Sequence, residues 1–160
     1  MKNMKKSIVG MKYILIAVLL LFIAGISGSG EISNADLERV AEKAADEAEA
    51  GNLSPADNRM VKRLYGINVN DYEGVALYVS GSNMEVEEIL VVKLKDFSQS
   101  ESVETAIEER LRRQLESFEG YGPEQCRLLN DHVLDIRGNY ILYAVDEKAE
   151  TVDQAFRENL

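Results

Sequence analysis

The side chains able to do chemistry in this chain are few in kind. One histidine, His132, and one cysteine, Cys126, are present. A site needing two imidazoles is therefore impossible, as are an internal disulfide and a cysteine-rich metal centre. His132 shares strand parity with Leu134 and Ile136, which suits a rim or core histidine better than a catalyst. Cys126 falls near Leu129 on a short helical stretch, where a thiol acts as a small apolar group. Adjacent carboxylates such as Glu87-Glu88 and Glu108-Glu109 are common, but 28 acidic side chains in 160 residues make such adjacency a matter of chance. It is weak evidence for acid–base catalysis or for Ca²⁺. The patterns HExxH, GxSxG and GxxxxGKS/T do not occur, so neither a zinc protease, a nucleophile elbow nor a phosphate loop is indicated. Arg110, Arg112 and Arg113 form the one basic cluster outside the N-terminal segment. It reads as a solvated face, with Glu108–Arg112 and Glu109–Arg113 as i,i+4 pairs. No catalytic residue, metal ligand or cofactor is assigned from these patterns.

Charge is distributed unevenly. Four of the 18 basic residues, Lys2, Lys5, Lys6 and Lys12, lie in residues 1–30, which hold no carboxylate; residues 31–160 carry 14 basic against 28 acidic groups, a net charge of −14. A surface that acidic repels a phosphate backbone, so nucleic acid is not an expected partner. The lysines precede an uncharged stretch of fourteen residues, 13–26, and then Ser27-Gly28-Ser29-Gly30. That is the order of a secretory signal. Fourteen apolar residues rise only about 21 Å as a helix, short of the roughly 30 Å hydrocarbon core of a bilayer. Residues 1–30 are thus expected to be a signal peptide or signal anchor, ahead of a third reading, a cytoplasmic strand; of the first two, the signal peptide is the leading one. Either would insert in the membrane and leave the rest extracytoplasmic, secreted or held at the cell membrane by residues 13–26. The glycines that follow read GxxGxG, not GxGxxG, and no βαβ unit comes after them, so a dinucleotide fold is not expected.

Periodicity places the elements. Ser33 with Asp36 resembles a capping box opening a helix to about residue 49, with Leu37, Val40, Ala41, Ala44 and Ala48 facing inward. A stripe so rich in alanine packs weakly, so residues 31–53 are expected to be a helical stalk or a docked helix. Residues 54–160 are expected to form a single α+β domain. Its opening, Ser54-Pro55-Ala56-Asp57, reads as a helix start with proline at the first helical position, and Gly66 as its end. Strands are expected at 75–80 and 87–95 with a turn at 81–83, and again at 132–137 and 139–145 around Gly138. Between the hairpins, Val103, Ile107, Leu111, Leu115 and Phe118 define a helix over 101–118. Pro123 opens a second, shorter one, and residues 151–160 close the chain as a helix. The expected fold is a four-stranded antiparallel sheet built from two hairpins, with helices packed on one face.

Both faces of the strands are largely apolar, unlike a sheet with one wet side. One reading covers the second face with the first or the last helix. The other leaves Ile89, Val91, Lys93, Ile141 and Tyr143 as an apolar patch with a cationic rim for a partner.

Glu88-Ile89 with Lys93 and Asp96, then Arg110, Gln114, Phe118, Tyr121, Pro123-Glu124-Gln125, Asn130 and Gly138-Asn139-Tyr140 give the stretch a recognisable pattern. In these residues, and in the upstream Leu64-Tyr65-Gly66-Ile67, the chain over roughly 55–160 resembles the domain-of-unknown-function family numbered four-three-five-eight, found in Clostridia-like Gram-positive bacteria. The resemblance implies a secreted or lipid-anchored domain and supplies no activity. Members often carry a lipobox cysteine after the signal; here the segment is AGISGSG, which removes lipidation.

The leading expectation is a non-enzymatic extracytoplasmic binding or accessory module with an unknown protein or cell-envelope partner. Its candidate contacts are Arg110, Gln114, Tyr121, Asn130 and Tyr140, with Lys93 on the rim, because polar side chains among core positions need partners. These residues either pin the loop 120–123 against the second hairpin as an internal network or face a ligand. A carboxylate-based hydrolase of cell-wall material would instead need two carboxylates converging in a pocket with perturbed pKa. A structural subunit of a membrane complex would leave its second sheet face to a partner chain.

Overall fold

The computed structural model describes residues 32–160; the signal or anchor expected in residues 1–30 lies outside them. Asp36 opens α1 (Leu37–Asp46), its carboxylate accepting from the Arg39 N–H at 3.0 Å. Ser33, expected as part of that cap, serves elsewhere. Its N–H donates to the Asn139 side-chain oxygen at 2.8 Å and its hydroxyl to the Leu160 carbonyl at 2.7 Å, tying the start of the domain to its end.

A fifth strand follows. β1 (Leu53–Pro55) occupies the stretch expected to begin a helix, pairing Leu53 with Ser80 and Pro55 with Tyr78. Proline lacks the N–H a ladder needs, but an edge strand can spare it. The helix starts three residues later: Asp57 caps α2 (Asn58–Tyr65) through the Met60 N–H at 2.8 Å, and Gly66 ends it at a φ of 72°, a left-handed cap that suits glycine. The remaining elements are β2 (Gly74–Ser80), β3 (Glu88–Lys93), α3 (Ser100–Phe118), α4 (Pro123–Asn130), β4 (Val133–Arg137), β5 (Tyr140–Val145) and α5 (Ala149–Glu158).

The sheet is antiparallel throughout, in the order β1-β2-β3-β5-β4, so the two hairpins join through β3 and β5. Every residue of these two central strands is buried. Helices therefore cover both faces, not the one face of the expected architecture; the second is covered by the first and last helices, as one of the two readings of the apolar faces had it. On one side Leu90, Val92, Ile141, Tyr143 and Val145 pack with α2, α3 and α4; on the other Ile89, Val91, Tyr140, Leu142 and Ala144 pack with α1 and α5. The register opposes Val91 to Leu142 and Lys93 to Tyr140, which removes Ile141 and Tyr143 from the patch assembled by alternation alone. Alternation fixes the faces of one strand but not which face of its neighbour lies beside it; a one-residue shift exchanges them.

The alanine stripe of α1 works as a close-packing surface. Val40, Ala41 and Ala44 are fully buried, and a side chain on Gly74 of β2 would run into the Leu37 side chain. Small side chains let the helix axis approach the sheet, and the contact comes from proximity where bulk is missing.

Candidate functional site

At the end of the sheet where β2 turns into β3, a cleft of about 790 Å³ opens between that turn, α2 and α3. Glu88 lies in its floor. As the first residue of β3 it has the parity of Leu90 and so points at α3, where it is 1% exposed. Arg110 meets it from α3: Nε lies 3.1 Å from Oε1 and Nη2 lies 2.9 Å from Oε2. Gln114, one helical turn on, completes the group. With its amide oriented to satisfy both partners, it donates to Glu88 Oε1 at 3.0 Å and accepts from Arg110 Nη2 at 3.0 Å. Burial raises the Glu88 carboxyl above the usual range, against the lowering pull of Arg110. Burial alone would lower the Arg110 guanidinium, but the Glu88 charge and hydrogen bonds outweigh it and the net shift is upward.

Tyr65 and Tyr143 stand behind this pair, their rings edge to face with centroids 6.4 Å apart. Both hydroxyls are buried without a hydrogen-bond partner among the described residues. Burial first and the Glu88 charge second push both phenols upward.

The walls of the cleft differ in sign. Arg63 and Arg113 line it from α2 and α3. Arg113 also joins the two helices, Nη2 donating to the Leu64 carbonyl at 2.5 Å. Glu85 and Glu87 line it from the β2–β3 turn. Hydrogen bonds from the Ser80 hydroxyl and the Asn52 amide hold the Glu85 carboxyl below its usual range, and Glu87 accepts from the Val86 N–H at 2.9 Å. Tyr121 sits at the mouth, 63% exposed, its ring 5.7 Å from that of Phe118.

The structure thus brings together Arg110, Gln114 and Tyr121 and separates the other candidates from them. Tyr140 lies on the opposite sheet face, its hydroxyl donating to the Ala35 carbonyl at 2.6 Å. Lys93 is its cross-strand neighbour, with Nζ 2.9 Å from Glu73, 3.1 Å from the Ala35 carbonyl and 5.4 Å from the Tyr140 ring centre. That pair fastens the approach to α1. Asn130 bonds the Cys126 carbonyl at 2.7 Å within α4. Glu88 and Tyr65 are the residues of this group that sequence reasoning missed as contacts, and Tyr143 was assigned to the patch on the other face. The parity of Glu88 with Leu90 and Val92 was the available signal, obscured by the abundance of acidic pairs.

A converging carboxyl pair does exist, outside the cleft lining. Asp135 of β4 accepts from Arg137 at 2.7 Å and from Arg157 at 2.8 Å, and Arg157 Nη2 lies 2.6 Å from Asp153 on α5. Burial and the neighbouring Asp135 raise Asp153; Asp135 itself is lowered because the hydrogen bonds from Arg137 and Arg157 outweigh its burial. Two guanidinium groups close this pair, and it has the character of a structural clamp.

The matched family model is Domain of unknown function (DUF4358), over residues 46–146. The chain belongs to this family. The span begins and ends earlier than the stretch of resemblance read from the sequence. It runs from the last residue of α1 to Asp146, whose carboxylate accepts from the Glu49 and Ala50 N–H groups at 2.8 and 3.1 Å. Every strand and every cleft residue named above falls inside it. No curated protein and no solved structure matches the chain.

Proposed function

We propose that this chain is an extracytoplasmic binding or accessory module, and that its ligand or partner seats in the cleft over Glu88 and Arg110. The observation that carries this reading is the cleft itself. It is of the size that small ligands or a peptide end occupy, and the carboxylate in its floor is buried and held by Arg110 and Gln114. A hydrolase of the carboxylate type needs, beside an ionised carboxylate, an acid of raised pKa that can face a substrate; the raised carboxyl of this cleft, Glu88, is committed to Arg110, and Glu85 is lowered. The extracytoplasmic assignment is supported by the order of lysines, apolar run and small polar residues in 1–30. The chain enters the described domain at Ser33, beside Asn139, while the cleft lies at the other end of β3 and β5.

A photoreactive residue at position 121, at the mouth of the cleft, tests this in intact cells. Cross-linking to an envelope component from position 121, and not from the remote exposed position 105, is the expected result. Equal labelling from both positions, or labelling of cytoplasmic proteins, would overturn it. N-terminal sequencing of the mature chain decides between a cleaved signal and an anchor.

A further inference from the structure

The sign of the two cleft walls, taken with the reading that the cleft is the ligand seat, narrows the ligand. We infer that the cleft takes a zwitterionic ligand of the amino acid or short peptide class, its carboxylate on the Arg63 and Arg113 wall and its ammonium group on the Glu85 and Glu87 wall. Each wall keeps capacity to spare. Arg63 forms no ion pair among the described residues, and Arg113, whose Nη2 is held by the Leu64 carbonyl, makes its one ion pair with Glu109 of its own helix, at a long 3.8 Å. Glu85 and Glu87 likewise take their hydrogen bonds from their own side, from Asn52, Ser80 and the Val86 N–H. Among the described residues, no ion pair spans the cleft from one wall to the other; Arg110 and Glu88 pair only in the floor. Opposite charges that face a common space unpaired are solvated in the empty protein and free for a ligand carrying the complementary pair. A guanidinium fork recognises a carboxylate with two parallel hydrogen bonds, and a carboxylate with neighbouring hydroxyls recognises an ammonium group.

The same inventory disfavours a simple polyanion. Asp57, Glu85, Glu87 and Glu88 line the cleft along with Arg63, Arg110 and Arg113, so it carries no excess of positive charge. The domain around it is acidic as well, at −14 over residues 31–160. Phosphate would meet repulsion; a ligand of no net charge and a large dipole would not. Tyr121, exposed at the mouth, offers a ring for the apolar part of such a ligand.

Calorimetric titration of the full chain in detergent micelles tests the inference. The probes are trialanine, N-acetyl-trialanine, trialanine amide and inorganic phosphate. Trialanine is expected to bind, with either capped form weaker by about tenfold or more and phosphate silent, since each cap removes one charged contact. Arg113→Gln is expected to weaken trialanine about fivefold or more and to leave trialanine amide unchanged, because the lost partner is the carboxylate. Glu87→Gln should show the converse, with N-acetyl-trialanine unchanged. Thermal melts of both variants establish that the fold is kept, and Arg63→Gln, at an exposed position, gives a second test of the same wall. Capped peptides binding as well as trialanine, or no binding of trialanine, would overturn the inference. Binding of a capped peptide or of phosphate without that preference leaves the cleft as a ligand seat of another class. If position 121 also fails to cross-link, the binding-module reading falls with it.

Discussion

Glu88 shows how one residue can organise a site while contributing little to stability. A carboxylate at 1% exposure loses its hydration, and the fork of Arg110 with the Gln114 amide replaces it. Replacing Arg110 by Met strands that charge, so R110M is expected to cost about 3–5 kcal/mol in urea denaturation, whereas the double variant E88L/R110M recovers most of the loss. An equal loss in both would show that packing and not charge is at stake. The pH dependence has a definite sign. Without Arg110 the Glu88 pKa, already raised by burial, rises further, and a carboxyl whose folded pKa is raised favours the folded state only while protonated. The deficit of R110M should therefore be larger at pH 8 than at pH 5, read from the two denaturation midpoints.

Between elements, the fold depends on closeness on one face and on charge at its margin. Ala44 of α1 is fully buried against the sheet, so Ala44→Leu is expected to lower stability by about 1–3 kcal/mol through overpacking, measured by urea midpoint. At the margin, Asp135 joins β4 to α5 through Arg157. Its pKa is lowered in the folded state, so its contribution is present above the unfolded carboxylate range and lost as pH falls through the folded value. Asp135→Asn should lower the melting temperature at pH 7 and leave it little changed at pH 3. Asp153 is raised, the opposite case: its contribution is present at acid pH and is lost as pH rises. Asp153→Asn is accordingly expected to cost less at pH 7 than Asp135→Asn. These elements were mostly legible in the sequence, since apolar period and turn residues placed two hairpins and the helix 101–118. β1 was not, because three residues with a central serine and a proline carry no alternation, and Pro55 is as good a helix opener as an edge residue. The site was legible in part: Arg110, Gln114 and Tyr121 stood out as polar residues among core positions. Their acidic partner was hidden, because parity sets the side of β3 on which Glu88 stands, but which helix meets it there depends on tertiary approach, which local pattern does not encode.

For the molecule as a whole, the decisive arrangement is a sheet whose two central strands are buried on both sides. Neither layer of helices is dispensable in such a design. Deleting residues 1–52 removes α1 and uncovers Ile89, Val91 and Leu142, so this truncation is expected to aggregate or to bind the hydrophobic dye ANS, whereas deletion of residues 1–30 is expected to do neither. The family span stops at Asp146, short of α5, and Asp146 is also the acceptor that fixes the backbone leaving α1. One face of the core is thus completed by elements that lie largely outside the stretch the family shares.

The hydrogen bond from the Ser33 hydroxyl to the Leu160 carbonyl places the two ends of the domain side by side. A chain closed on itself at that point needs only a short bridge, so the ends are topologically interchangeable with a break elsewhere. A circular permutant joined from 160 to 32 through a few glycines and reopened at Gly81, in the exposed β2–β3 turn, should fold to the same sheet. Ends so placed would equally let the domain be inserted into an exposed loop of a host protein, entering and leaving through one gap.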